Sequence, residues 1–377
     1  MKVNAVASKL FSMLREDGLR CCILKGQGNA LMYPNPYSRT PGDIDVWVNA
    51  SRERIMEYAQ KKFELGDDIR LQHLETSLDG VPVELHFFPC SMNNPIYHAR
   101  LQKWFKRNAD LQCSHIVGLP DGAGDIAIPT MAFNVVYQLT HLYHHFFDEG
   151  IGMRQIIDYY YVVCDFYKVY QNSSKITPSL FTIKEGSTSH PDPLTLRGEG
   201  GNRPTRCSEP LRSKDGGPSK VSPDCAGWDR RGVSGDTGSV SCSSGSSITS
   251  VSSAFTTDSS ASTALDVVQR ELKYLGLWKF AGAVMFVLHE VLGLAEDKMI
   301  VPIDEKRGRL LLAEILDGGN FGRHFTKYAR FTHQSMRKKY FLKIWRNMHF
   351  VRYYPAEALC EPLFRTWHFF WRMKNKK

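Results

Sequence analysis

The sequence predicts an α+β fold in which a small mixed β-sheet with flanking helices precedes a mainly helical C-terminal region. Two observations predict it. Short apolar segments with strand-like alternation fall between amphipathic helical patterns in the first part of the chain. From Pro129 onward, the patterned segments have the period of a helix. The chain of 377 residues, with an apolar fraction of 42%, is long enough for two domains and a sizeable core.

The predicted elements of the first part follow in order. Apolar residues at helical spacing predict a helix over 3–16, which Asp17-Gly18 ends. Asp79-Gly80, between two alternating segments, is a β-hairpin signal. This order of elements predicts a small mixed sheet with helices on one face. The remaining elements are a strand over 19–25, a short helix over 29–32, a strand over 43–48, a helix from Ser51 to about 63, and hairpin strands over 69–78 and 81–88.

The composition of the chain changes sharply near Asn172. Residues 173–264 are rich in Ser, Gly, Pro and Thr and lack apolar periodicity, so we predict a disordered insertion; a regulatory linker is the alternative. Helices are predicted over 131–147 and 152–170 before it, and over 265–294 (one helix, or a pair broken at Gly276), 307–316, 328–348 and 355–371 after it. The predicted domains are therefore an α+β domain over 1–128, a helical domain in two parts over 129–172 and 265–377, and the insertion.

Charge and cysteine content limit the function classes. The net charge is +9, and residues 323–377 carry fourteen Lys and Arg against two acidic residues. Such a basic, aromatic tail could bind nucleic acid or an anionic membrane surface, or form a solvated helical face. The nine cysteines show no CxxC spacing, which favours neither a zinc site nor a disulfide framework. Without a signal-peptide pattern or a membrane-spanning apolar run, the sequence predicts a cytoplasmic protein.

The segment Arg39-Thr40-Pro41-Gly42-Asp43-Ile44-Asp45-Val46-Trp47-Val48 contains two carboxylates two positions apart. Alternation along a strand places Asp43 and Asp45 on one face, with Ile44, Val46 and Val48 on the other. Two carboxylates on one edge suit divalent cations that bridge phosphate oxygens; a solvated strand end is the plain alternative.

Two neighbouring segments strengthen the functional interpretation. Cys21-Cys22-Ile23-Leu24-Lys25-Gly26-Gln27-Gly28 is a short apolar strand that enters a glycine turn, where backbone N–H groups and Lys25 can hold phosphate oxygens. In Val81-Pro82-Val83-Glu84-Leu85-His86-Phe87-Phe88, Glu84 and His86 lie opposite the core-facing residues. Glu84 would complete a triad with the two aspartates. Lys25 and Glu84 are also consistent with solvated positions, and His86 with a structural histidine.

This order of motifs resembles the polymerase-beta-like nucleotidyltransferase superfamily, and more closely a family of uncharacterised bacterial nucleotidyltransferases. The resemblance covers residues 21–88 and extends more loosely to about 170. It implies a polymerase-beta-like core, Mg²⁺ (or Mn²⁺) and an NTP substrate. It also implies catalytic and metal-binding roles for Asp43, Asp45 and Glu84. The residues implied in nucleotide binding are Lys25, Gly26, Gln27, Arg39, His86 and Arg154. Gln27 departs from the small residue that the superfamily usually has in the turn.

Several residues keep alternative interpretations. Arg39 is placed to steer a triphosphate or to pair with Asp43, and Arg154 to face the nucleotide or to pair with Asp158 at i, i+4. His141 and His145, also i, i+4, suit a metal site geometrically, but packing against the catalytic domain or contact with the nucleotide fits better.

The sequence therefore predicts an enzyme that moves an NMP from an NTP to a hydroxyl of a small molecule, a protein or an RNA end. A catalytically degenerate nucleotide- or RNA-binding protein of the same fold is the alternative. A third reading is a partner-binding module in which the helical domain docks another protein.

Overall fold

Residues 2–65, 70–171, 264–318 and 336–375 are described by the structure, a computed structural model. The predicted disordered insertion lies outside the described residues, except for Ala264, which begins a helix. The first residue of the hairpin strand predicted over 69–78 also lies outside the described residues. So does the first part of the helix predicted over 328–348.

A four-stranded mixed sheet, in the order β1-β2-β4-β3, forms the centre of the N-terminal region. Strands β1 and β2 are antiparallel, β2 and β4 parallel, and β3 and β4 antiparallel. The turn Asp79-Gly80 has positive φ at both residues, as a tight hairpin turn requires, so the predicted hairpin is confirmed. The strands are β1 (Cys21–Leu24), β2 (Ile44–Val48), β3 (His73–Leu78) and β4 (Val81–His86).

Helices cover both faces of this sheet, so the prediction of helices on one face is wrong. On β2, Ile44, Val46 and Val48 pack in a core cluster with α1 (Lys2–Glu16) and α3 (Arg52–Lys62). Trp47, which points the other way, packs in the second cluster with the later helices. Because β1 and β2 are buried on both faces, a second helical layer is required.

Three elements of the N-terminal region were not predicted. Helix α4 (Pro95–Ser114) begins at Asn94, whose side chain accepts hydrogen bonds from the N–H groups of Ile96 and Tyr97. After it, β5 (Ile116–Gly118) and β6 (Asp125–Ala127) form a two-stranded antiparallel sheet.

The helices after β6 follow the predicted order and build the larger core cluster. Gly276, at φ +72°, separates α7 from α8, which confirms the predicted break. The predicted helix over 355–371 is instead two helices, α11 and α12. The elements are α5 (Met131–Asp148), α6 (Met153–Gln171), α7 (Ala264–Tyr274), α8 (Trp278–Leu292), α9 (Glu305–Gly318), α10 (Met336–Met348), α11 (Pro355–Ala358) and α12 (Glu361–Asn375), numbered within the described residues.

Three aromatic rings join the sheet to the helical layer. The ring of Phe133 on α5 lies 4.4 Å from that of Trp104 on α4, at an interplanar angle of 8°. On its other side, the Trp47 ring of β2 lies at 6.1 Å and 11°. Since all three side chains are buried, this column fixes α4 and α5 against the strand that carries Asp45.

The described parts of residues 1–177 and 261–377 belong to one compact unit. The predicted division into domains at residue 128 stays a prediction. The six cysteines among the described residues are free thiols. None of the helices in the described ranges combines the length and apolar character that crossing a membrane requires.

Candidate functional site

The two central strands place two acidic side chains opposite each other. Asp45 on β2 and Glu84 on the parallel strand β4 are register partners. Asp45 is only 5% exposed, and its Oδ1 forms an ion pair with Lys25 Nζ at 3.0 Å. Burial favours the neutral amine, but the charge and hydrogen bond of Asp45, together with the charges of Glu84 and Asp43, outweigh it and raise the pKa of Lys25. The predicted carboxylate site therefore contains a partly buried cation.

His86 links these two carboxylates. Its Nε2 lies 3.1 Å from Asp45 Oδ1 and 3.2 Å from Glu84 Oε2. Burial disfavours the imidazolium, but the hydrogen bonds to Asp45 and Glu84 together with the charges of these carboxylates outweigh it and raise the pKa of His86. Burial also opposes ionisation of Asp45, yet the charge of Lys25 and the hydrogen bond from His86 lower its pKa. His86 thus orients both carboxylates through one nitrogen.

Asp43 lies just before β2 and is exposed. Partial loss of hydration, followed by repulsion from Asp45 and Glu84, raises its pKa. The three carboxylates are therefore close enough to disfavour one another's charge, which a divalent cation would relieve. Oxygen ligands of this kind are those that Mg²⁺ prefers, so their chemistry fits the ion that the resemblance implies. Asp43, Asp45 and Glu84 together are nevertheless not among the described donor groups whose ligand atoms all lie within 4.8 Å of one another.

The turn after β1 carries the other predicted phosphate contacts. Lys25 adopts φ 51° and ψ −125°, a conformation that is rare for a residue other than glycine, and Gly26 follows at φ 32°. Gln27 lies in the short helix α2 (Gly26–Ala30) and is 4% exposed. Its Oε1 is buried without a hydrogen-bond partner among the described residues. The turn therefore holds a strained lysine and an unsatisfied acceptor next to the carboxylates.

Helix α5 packs against this turn through histidines. Lys25 Nζ donates to His141 Nε2 at 3.2 Å, because an ammonium cannot accept. His145 Nε2 lies 3.0 Å from His141 Nε2. Burial, with Lys25 next, lowers the pKa of His141, and burial lowers that of His145 to about 3. The structure places His141 in contact with Lys25 in the turn after β1, in agreement with packing, one of the two interpretations that the sequence favoured over a metal site. Contact with a nucleotide, the other interpretation, stays a prediction.

A buried amide network holds α2 against α5, and the sequence did not reveal it. Asn29 Oδ1 accepts from Gln138 Nε2 at 2.8 Å and from Asn134 Nδ2 at 3.4 Å. Gln138 Nε2 also lies 3.3 Å from Asn134 Oδ1. Because these side chains are almost fully buried, the network sets the position of the turn relative to the helix.

The two predicted arginines contact other partners than expected. Arg39 does not pair with Asp43; its guanidinium forms two hydrogen bonds of 2.8 Å with Asp158 on α6. Arg154 therefore does not pair with Asp158, and its Nη2 donates to the Thr40 carbonyl at 2.9 Å. Because the loop before β2 folds back onto α6, Arg39 contacts Asp158 and not Asp43, which lies only four positions away in the sequence. Both contacts fix the loop that leads to Asp43.

A second donor set overlaps the first. One ring nitrogen each of His73 and His86 and one oxygen of Glu84 lie within 4.8 Å of one another, and this is the potential metal-binding group found among the described residues. Burial lowers the pKa of His73 to about 4, so it is a neutral donor. His73 was not predicted. The two-residue hairpin turn could have revealed it, since that turn aligns His73 with His86.

A cavity of about 380 Å³ borders this donor set. His73 lines it, together with residues from the end of α5, from α10 and from α12. Arg70, Lys343, Arg365 and Arg372 contribute cationic groups to its wall, and Asp148 and Glu149 contribute carboxylates. The size and polarity of this cavity suit a small polar ligand next to His73.

Comparison with known proteins gives one family. The model of a family described as "Uncharacterised nucleotidyltransferase" matches residues 1–170. No curated protein matches the chain. A solved structure, an antigenic nucleotidyltransferase-like protein from Paracoccidioides brasiliensis, is 16% identical and covers 43% of this chain and 75% of its own, with a TM-score of 0.29. A likeness at that score carries no conclusion about this chain.

The matched residues 1–170 include the mixed sheet and the two strands that carry Asp45 and Glu84. The match confirms, for this part of the chain, the resemblance to the uncharacterised nucleotidyltransferase family that the sequence showed.

Proposed function

We propose that the protein is a Mg²⁺-dependent nucleotidyltransferase that moves an NMP from an NTP to a hydroxyl acceptor. The observation that carries the proposal is the register of Asp45 with Glu84 on parallel strands, with Lys25 3.0 Å from Asp45. Carboxylates beside a partly buried lysine supply both signs of charge that a nucleoside triphosphate and its cation need.

The residues have separate roles in this proposal. Asp43, Asp45 and Glu84 would hold Mg²⁺, which when bound supplies positive charge to the phosphate oxygens and the attacking hydroxyl. Lys25 and the N–H groups of the turn would bind phosphate oxygens. Gln27 Oε1, which lacks a partner, would accept from a nucleotide hydroxyl or amine. His86 keeps Asp45 and Glu84 oriented through its two hydrogen bonds.

In the transfer step, the acceptor oxygen forms a bond to the α-phosphorus, and the bond between that phosphorus and the bridging oxygen breaks. Pyrophosphate leaves, and the hydroxyl proton passes to Glu84, which in this step acts as a base, the alternative to its role as a ligand of the cation. We place the acceptor in the cavity that His73 lines, since His73 Nδ1 lies 3.5 Å from Glu84 Oε2. Arg39 and Arg154 hold the loop before Asp43, so in this structure they support the site from outside it.

One observation favours the alternative of a catalytically degenerate nucleotide- or RNA-binding protein. Lys25 and His86 already neutralise Asp45, and a bulky Gln27 fills the turn. In that case, nucleotide would bind without transfer.

The test is transfer of label from each α-³²P-NTP, in the presence of Mg²⁺ and a lysate of the source organism. We expect Asp43→Asn to lower transfer about 100-fold or more, because it removes a carboxylate at little cost in folding. Asp79→Asn is the matched control. This aspartate is also exposed, but it lies in the turn between β3 and β4, where it pairs with Lys9 at 2.7 Å. Equal transfer by the wild type and Asp43→Asn would refute the proposal. NTP binding without any transfer would support the degenerate alternative instead.

A further inference from the structure

One face of helix α12 packs against the protein, and the other face is exposed. On one face, Arg365 Nη2 lies 3.1 Å from Asp148 at the end of α5, and the Trp371 ring lies 5.4 Å from the guanidinium of Arg52. Glu361, almost fully buried, pairs with Arg365 on the same side. These contacts fix α12 to the body of the protein and leave its other face exposed.

The exposed face is mainly apolar, with Thr366 and Lys374 also exposed on this side of the helix. Leu363, Trp367 and Phe370 are spaced i, i+4, i+7, and Leu363 is 73% exposed and Phe370 62%. Met373 continues the row, and Phe369 lies at its edge; both are more than half exposed. Isolated exposed apolar residues are ordinary in proteins, but a continuous row of large ones along one helix indicates an interaction surface. We call these five residues the α12 apolar face.

The exposed charged residues of α12 are basic. Glu361 is the acidic residue of α12, and it is buried and paired. Arg372 and Lys374 are exposed near the C-terminal end of the helix, and the sequence continues with Lys376 and Lys377. Over residues 323–377 the chain carries fourteen basic and two acidic residues. The expected occupant is therefore anionic as well as apolar.

We propose that the α12 apolar face binds the surface of an anionic lipid bilayer, with α12 lying in the plane of the interface. Trp, Phe and Leu on one side of a helix, bordered by Lys and Arg, suit the boundary between headgroups and acyl chains. Anionic headgroups attract the basic residues at the end of the helix. A second copy of the chain is a poorer occupant, because it would bring two strongly basic tails together. This inference does not depend on nucleotidyl transfer.

The test is sedimentation of the purified full chain with two kinds of vesicle, one of phosphatidylcholine alone and one that also contains phosphatidylserine. We expect binding to the phosphatidylserine vesicles, weakened by added salt, and little binding to phosphatidylcholine alone. Leu363→Ser/Phe370→Ser should weaken binding about tenfold or more, since two inserted apolar side chains are lost. Both positions are exposed, so the fold should tolerate the change.

The matched control is Leu316→Ser/Ile96→Ser, which changes two apolar residues that are 70% and 63% exposed on α9 and α4. It should bind vesicles as the wild type does. Equal losses in the two double variants, or no binding to phosphatidylserine vesicles, would overturn the proposal. Sedimentation velocity without lipid provides a further check: a wild-type dimer that Leu363→Ser/Phe370→Ser converts to a monomer would assign the face to self-association and also overturn it.

Discussion

Arg39 and Asp158, 119 positions apart in the chain, form a bidentate ion pair in which both hydrogen bonds are 2.8 Å long. Their side chains are 8% and 9% exposed, and Tyr33 donates a third hydrogen bond to the same carboxylate at 2.6 Å. The pair ties the loop before Asp43 to α6. Because the guanidinium is buried, removing its partner leaves a charge that water cannot solvate.

We therefore expect Asp158→Asn to lower the free energy of unfolding by about 3 kcal/mol, measured by urea denaturation. Asp165→Asn, on the same helix, is the control. Asp165 pairs with the exposed Lys168 at 3.6 Å, and its loss should cost less than about 0.5 kcal/mol. Similar values for the two variants would mean that the buried pair contributes no more than a surface pair.

The proposed role of Glu84 predicts a selective loss of activity. In Glu84→Gln, the side chain keeps its size but cannot accept a proton or hold a cation strongly, so kcat for NMP transfer should fall about 100-fold. Glu75→Gln is the control, because Glu75 lies directly opposite Glu84 on β3 but is more exposed and pairs with Arg70 at 2.6 Å. Its kcat should be nearly that of the wild type. A similar loss in both variants would remove Glu84 from the proposed mechanism.

Glu357 predicts a dependence of stability on pH. Burial raises its pKa from 4.5 to about 7, although the N–H groups of Asn93 and Asn94 donate to it. The folded protein therefore keeps this proton at pH values where the unfolded chain has lost it. Stability should fall as pH rises from about 4.5 to about 7 and stay level above that, a change of about 3 kcal/mol from this group.

Glu357→Gln should abolish this part of the pH profile, because an amide does not titrate in this range. The free energy of unfolding of the variant minus that of the wild type should therefore increase as the pH rises. Urea denaturation at several pH values measures it, and the exposed Glu305→Gln serves as the control. Parallel profiles for the wild type and Glu357→Gln would show that Glu357 is ionised in the folded state.

The contact between α8 and α9 predicts a steric effect. A Cβ added to Gly308 on α9 would overlap the ring of Phe286 on α8. Gly308→Ala should therefore destabilise the protein by about 1–3 kcal/mol, in spite of the higher helix propensity of alanine. Gly118→Ala, whose nearest neighbouring atom is 3.6 Å away, should have a much smaller effect. Phe286→Leu in the same chain should recover part of the loss, which a double-mutant cycle on thermal stability can measure.

The sequence predicted the parts of the site that depend on local pattern. Alternation along one strand placed Glu84 and His86 on the same face, and the Asp79-Gly80 turn indicated the hairpin. The partner of Arg39 could not be found in this way, because Asp158 approaches only when the loop folds onto α6. From proximity in the sequence, Asp43 was the expected ion-pair partner of Arg39.

The buried amides and α4 were missed for a related reason. Asn29, Asn134 and Gln138 are polar residues, for which sequence pattern alone does not indicate burial, and only their mutual contact makes burial possible. Helix α4 has polar residues distributed around much of its length, so its apolar period is weak; the Asn94-Pro95 pair at its start was the usable signal.

The ring column of Trp47, Phe133 and Trp104 makes the protein's own fluorescence informative. Of the tryptophans in the described ranges, Trp47 and Trp104 are the buried ones, each 4% exposed. The short-wavelength part of the emission therefore comes from these two side chains. Trp47 is two positions beyond Asp45 on the same strand and in register with His86. A red shift of that emission would therefore report separation of the sheet from α4 and α5, without any added label.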